Sequence, residues 1–121
     1  MKHVMVVDDE ADMVASSSAA LEAEGYRVSG FTSAAKALER LPQDVPDLLM
    51  MDLHMPNVNG IELLRAVRRG FPRLPIVVCS GLSAYRNDPD IVLNNVAAFL
   101  DKPVDLELLG GTVRKLIGPA V

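Results

Sequence analysis

Apolar and polar positions along the chain alternate between two patterns. Runs that are apolar at nearly every position, VMVV, DLLMM, PIVVC and VAAFL with the more mixed YRVSGF, are separated by stretches whose apolar residues recur at helical spacing. An uninterrupted apolar run suits a strand covered on both faces, and its alternation with helical periods marks successive βαβ units around a parallel sheet. Five such units are predicted. The fold class is therefore α/β, one layer of parallel strands between two layers of helices.

The first strand is placed at Val4–Val7 and the next helix at Ala11–Glu24, ended by Gly25 in a left-handed cap. Met13, Ser17, Ala20 and Leu21 would face the sheet, leaving an outer face of Ala15, Ser16, Ser18, Ala19 and Ala23 with few charges. Strand YRVSGF is followed by Ser33 as the N-cap of AAKALERL, and Pro42 and Pro46 break the chain before a third strand at Asp47–Met51. Beyond the turn MPNVNG, Ile61, Leu64 and Val67 form the cleanest amphipathic stripe, closed by Gly70 and Pro72. Strand PIVVC leads through Ser80 into a polar loop, GLSAYRND, and a short helix from Pro89 to a left-handed cap at Asn95. After VAAFL the last helix carries Leu106, Leu109, Val113 and Leu116. Gly110 and Gly111 interrupt it at about 1 kcal/mol each relative to Ala, which predicts local looseness. Gly118 and Pro119 stop it, and GPAV is where a linker to another domain can begin.

The length of 121 residues, half of them hydrophobic, suits one compact domain spanning residues 1–121. The net charge of −4 argues against direct nucleic-acid binding or attraction to anionic lipid. Arg65, Arg68, Arg69 and Arg73 gather in one region and are read as a solvated face. Cys79, the single cysteine, sits inside IVVCS as a small buried hydrophobe, which fits a reducing compartment. No apolar run reaches membrane-spanning length and MKHVMVV lacks a signal-peptide core, so a cytoplasmic location is expected.

The candidate chemistry lies at strand ends. Asp8 and Asp9 close VMVV, Asp52 closes LLMM, and Lys102 follows AFLD. In an open α/β sheet, functional residues collect at the carboxyl ends of the strands, so these four would meet, and three carboxylates with one amine point to phosphoryl transfer. Asp8 and Asp9 alone are explained as an acidic helix start. The third carboxylate changes this, because three converging carboxylates resist joint ionisation without nearby positive charge. One divalent cation and Lys102 together balance three aspartates, and hard oxygen ligands favour Mg²⁺.

With VVDDE near the start, MDLHMPNVNG around Asp52, PIVVCSG ending in Ser80, and FLDKPVD containing Lys102, the chain resembles the receiver domain of two-component response regulators over essentially its whole length. The resemblance implies a flavodoxin-like (βα)5 sandwich with strand order 2-1-3-4-5. It implies that Asp52 accepts a phosphoryl group from a phosphohistidine on a sensor histidine kinase or histidine phosphotransfer protein. Asp9 and Asp52 would bind Mg²⁺ directly, with the backbone carbonyl of His54 as a third ligand and Asp8 acting through water. Ser80 and Lys102 would contact the phosphoryl oxygens, and Phe99 holds the position of the family's rotating aromatic switch residue. Such a domain catalyses its own phosphorylation and dephosphorylation, yet serves chiefly to signal to an output domain or protein target.

The chain departs from the family at several places. His54 and Leu82 sit where side chains line access to the phosphoryl group, and the His54 ring is read as a partly exposed side chain without an essential role. The segment SAYRNDPDIVLNNV is shorter and more polar than is usual, with Asn94 and Asn95 near its end, so the output surface and homodimer formation stay open. Two other readings compete. A haloacid-dehalogenase-like phosphatase would need its nucleophile in the first strand, within a motif VDDEA lacks; a pseudo-receiver would keep the fold and bind a partner unphosphorylated.

Overall fold

The computed structural model describes residues 1–121, apart from the side chains of Ser83 and Ala84. Five strands form one parallel sheet: β1 His3–Val7, β2 Arg27–Phe31, β3 Leu48–Asp52, β4 Ile76–Ser80 and β5 Ala98–Asp101. Their order is β2-β1-β3-β4-β5, as the resemblance implies. The helices are α1 Ala11–Ala23, α2 Ala34–Arg40, α3 Gly60–Gly70, α4 Pro89–Leu93 and α5 Leu106–Ile117.

Strand pleating sends alternate side chains into two cores. Met5, Val7, Leu49, Met51, Ile76, Val78 and Phe99 pack with residues of α2, α3 and α4 on one face. Val4, Val6, Leu48, Met50, Val77, Cys79 and Leu100 pack with residues of α1 and α5 on the other. Every residue of β1, β3 and β4 is buried, which is why these segments read as unbroken apolar runs.

Helix ends follow the local chemistry. Tyr26 N donates to Leu21 O and Gly25 N to Glu22 O, with Gly25 at φ +97°, a Schellman end to α1. Ser33 Oγ accepts from Lys36 N at 3.3 Å, and Asn59 Oδ1 from Ile61 and Glu62 N, capping α2 and α3. Asn95 follows α4 at φ +57°, the left-handed position predicted for it.

Four expectations need correction. The third strand begins at Leu48 and takes in Asp52, because Asp47 instead caps β1, its carboxylate accepting His3 N at 2.8 Å. The polar loop after Ser80 contains a 3-10 helix, Ser83–Asn87, too short and polar to show a period. Arg68 is not a solvated residue: its guanidinium donates to the carbonyls of Phe71, Leu74, Asn94 and Asn95, tying α3 to the ends of two neighbouring segments. Residues 118–120 are packed on the domain, with Tyr26 Oη donating to Gly118 O, Lys2 N to Ala120 O, and Ala120 buried. The last helix runs unbroken through Gly110 and Gly111, and Gly110 is buried beside the Glu24 carboxylate at the end of α1.

Candidate functional site

Register brings the chemistry together. Val7 pairs with Met51, Asp52 with Cys79, and Ser80 with Asp101, so Asp8, Asp52, Ser80 and Lys102 step across the carboxyl edge of the four contiguous strands β1, β3, β4 and β5. Backbone bonds fix this edge, with Leu53 N on Cys79 O at 3.2 Å and Lys102 N on Ser80 O at 2.9 Å. The Lys102–Pro103 peptide is cis.

Lys102 is the hub. Its Nζ lies 2.9 Å from Asp8 Oδ2, 2.9 Å from Asp52 Oδ2 and 3.3 Å from Glu10 Oε1. Asp8 and Asp52 are 3% and 2% exposed, so two carboxylates are buried against one ammonium. Burial alone would lower the Lys102 value, but hydrogen bonds to Asp52 and Asp8, reinforced by their charges, outweigh it and hold the ammonium above the ordinary lysine range. Asp9 is pushed the other way for a carboxylate: desolvation, then the charges of Asp8 and Asp52, raise it. Cys79, beneath this edge, is driven up to about 12 by burial and is an inert thiol, as its apolar setting predicts.

Ligand oxygens of Asp8, Asp9 and Glu10 all lie within 4.8 Å of one another. These hard donors, facing Asp52 across a single ammonium, leave an excess of negative charge and fit a small divalent cation such as Mg²⁺. Glu10 is a member that the sequence reading omitted, although its place in the acidic run VVDDE was the available signal.

The remaining predicted residues surround this cluster. His54 N donates to Asp52 Oδ1 at 3.0 Å, so the backbone at position 54 is held on the same carboxylate. The hairpin that follows, His54–Met55 against Val58–Asn59, turns at Pro56 and Asn57, with Asn57 at φ +61°. Ser80 is completely buried, and its Oγ lies 3.0 Å from His54 Nε2, a contact the sequence did not disclose. Phe99 is 9% exposed and turned into the core, where the Arg86 guanidinium covers it at 4.8 Å from the ring centroid. Arg86 also donates to Phe99 O at 3.2 Å and to Asp101 Oδ2 at 2.8 Å, joining the segment after Ser80 to β5.

This sheet order, with an acid cluster and a lysine at the carboxyl edge, defines a doubly wound α/β domain with a candidate phosphoryl site. The sequence model of the response regulator receiver domain family matches residues 4–114, so the chain belongs to that family. It is 35% identical over 117 residues to the response regulator receiver protein CpdR of Brucella abortus, covering 97% of this chain and 98% of CpdR. It is 32% identical over 110 residues to the transcriptional regulatory protein GlrR of Escherichia coli, covering 88% of this chain but only 24% of GlrR. Among solved structures, it matches the response regulator protein TrrA of Thermotoga maritima in complex with Mg(2+)-BeF, with TM-score 0.87, 27% identity, and 96% and 99% of the two chains covered. A CheY-like receiver domain protein from Methanospirillum hungatei matches in fold with TM-score 0.88 at 24% identity over 95% of this chain and 92% of that one.

Proposed function

We propose that the chain is a phosphorylation-driven signalling switch that accepts one phosphoryl group on Asp52 from the phosphohistidine of a sensor kinase or histidine phosphotransfer protein. The observation that carries this reading is the Lys102 ammonium, 2.9 Å from both Asp8 and Asp52 at the carboxyl edge of the sheet. A lone pair of the Asp52 carboxylate forms the new O–P bond while the P–N bond to the donor imidazole breaks, its electron pair returning to the ring. In so loose a transition state little covalent help is needed, and the protein's contribution is position and charge. Lys102, already tethered at both ends of the gap, meets the negative phosphoryl oxygens. Ser80 supplies a hydroxyl to one of them.

Asp9, Asp52 and the His54 carbonyl would hold Mg²⁺ directly, with Asp8 behind a water, and the bound ion would add positive charge at the phosphoryl oxygens. Movement of Ser80 toward the acyl phosphate would draw the following segment with it and release Phe99 from its present packing. The recipient is a protein target or an output domain, in a cytoplasmic setting. Among the described residues no helix is long and apolar enough to cross a membrane.

The test is intact mass spectrometry after incubation with Mg²⁺ and acetyl phosphate. The reading predicts one labile phosphoryl adduct, absent without Mg²⁺ and absent in Asp52→Asn. Continuous hydrolysis of the donor with no adduct would indicate a phosphatase; no reaction, even with a phosphorylated kinase partner, would indicate an inert binding module.

A further inference from the structure

The His54 side chain has a place in the site that its backbone does not account for. Its N–H on Asp52 Oδ1 fixes the backbone, and the ring then extends to put Nε2 3.0 Å from Ser80 Oγ. Tyr85 steadies the ring edge-on, with centroids 5.1 Å apart and planes at 67°. The Ser80 hydroxyl has one proton and two lone pairs to place. Leu82 N–H takes one lone pair at 3.0 Å, and Leu82 O lies 3.4 Å away, long for a hydroxyl donor. His54 Nε2 is thus the close partner left. In one ring tautomer it takes the hydroxyl proton, which must leave it before any phosphoryl oxygen receives that proton. In the other it donates to Oγ and holds the oxygen where it is.

We infer that the His54 imidazole is a positioning residue that tethers Ser80 in the resting orientation and competes with the phosphoryl group for its hydroxyl. This rests on the reading of Asp52 as the phosphoryl acceptor. The ring shifts the balance between resting and switched states through Ser80, without touching the transferred group. Removing its hydrogen bond while keeping its shape favours the switched state.

Two variants separate hydrogen bonding from packing. His54→Phe keeps an aromatic edge against Tyr85 and removes the bond; His54→Gln carries an amide to about the place of Nε2 without the ring. Both leave the backbone groups of residue 54 in place, and thermal unfolding of each checks that it is folded. Beryllofluoride with Mg²⁺, a phosphoryl mimic, is titrated into each protein and followed at the Leu82 amide by NMR. The expected result is about threefold to tenfold tighter binding by His54→Phe, the fold-change of one ordinary hydrogen bond, with His54→Gln within about twofold of the unsubstituted chain. Affinity unchanged in His54→Phe overturns the tether, as does tighter binding by His54→Gln alone. A second measurement needs no phosphoryl chemistry: the ¹⁵N shift of His54 Nε2 in ligand-free protein is expected to move in Ser80→Ala, and an unmoved resonance overturns the inference. If the unsubstituted chain fails to take the mimic, the proposed function falls, and this ligand-free shift still decides the tether.

Discussion

At the scale of single residues, Lys102 has the largest electrostatic task. Its ammonium is shared between two nearly buried carboxylates, and removing it from such an arrangement leaves negative charge stranded in low dielectric. Lys102→Met keeps the apolar stem and deletes the charge. It is predicted to lower stability by about 2 kcal/mol in urea unfolding without divalent cation, less than for a fully buried pair because the lysine retains some solvent contact. The loss is expected to shrink when Mg²⁺ is added; an unchanged unfolding midpoint would show that Lys102 contributes no net stabilisation.

His3 poses a different residue-scale problem at the opposite end of the sheet. It is 3% exposed, with Nε2 2.7 Å from Ser29 Oγ and Nδ1 3.7 Å from Asp44 Oδ1. Burial, followed by the Arg27 charge, lowers its value below 6.5 despite the opposing pull of Asp44 and Asp47, with Arg40 acting in the same direction as Arg27. Between the folded value and 6.5 the unfolded chain binds more protons than the folded one, so stability rises with pH across that window and is lost as pH falls through it. Urea midpoints measured from neutral pH downward are expected to fall below 6.5, and the His3→Gln variant to lose that component. Midpoints that rise on acidification through this window would contradict the assignment.

At the scale of elements, two glycines at helices behave oppositely. A Cβ at Gly111 meets nothing within 4 Å, so Gly111→Ala is predicted to stabilise by about 1 kcal/mol through helix propensity. A Cβ at Gly60, the first residue of α3, would lie 2.1 Å from the Leu53 carbonyl oxygen, where backbone cannot give way cheaply. Gly60→Ala is predicted to destabilise by roughly 2 kcal/mol. Denaturation of the two variants checks both signs, and equal effects would contradict the packing described for either helix. The short α4 is compensated at this same scale: Arg65 pairs with Asp90, and Arg68 holds the carbonyls of Asn94 and Asn95, so two arginines of α3 anchor a five-residue helix at both ends.

At the scale of the whole molecule, what was legible in the sequence is what burial and period impose. VMVV and LLMM announced themselves because both faces of those strands are covered, and Ile61, Leu64 and Val67 because one helical stripe is. The meeting of Asp8, Asp9, Asp52 and Lys102 was legible because each closes or follows such a strand, whereas Ser80 entered through the family resemblance. The Arg68 bonds were not, since their acceptors are backbone carbonyls that carry no residue identity. Nor was the His54–Ser80 contact, which joins positions 26 apart through two connecting segments. Nor was the packing of Ala120, which depends on Lys2 and the end of α1.

The central claim is that the acidic edge directs one phosphoryl group to one carboxylate. Borohydride reduction of the acetyl-phosphate-treated chain converts an aspartyl phosphate to homoserine, and peptide mass mapping then locates it. The account predicts homoserine at Asp52 alone, dependent on Mg²⁺. Homoserine at Asp8 or Asp9, or at no position when the donor has been consumed, would contradict it.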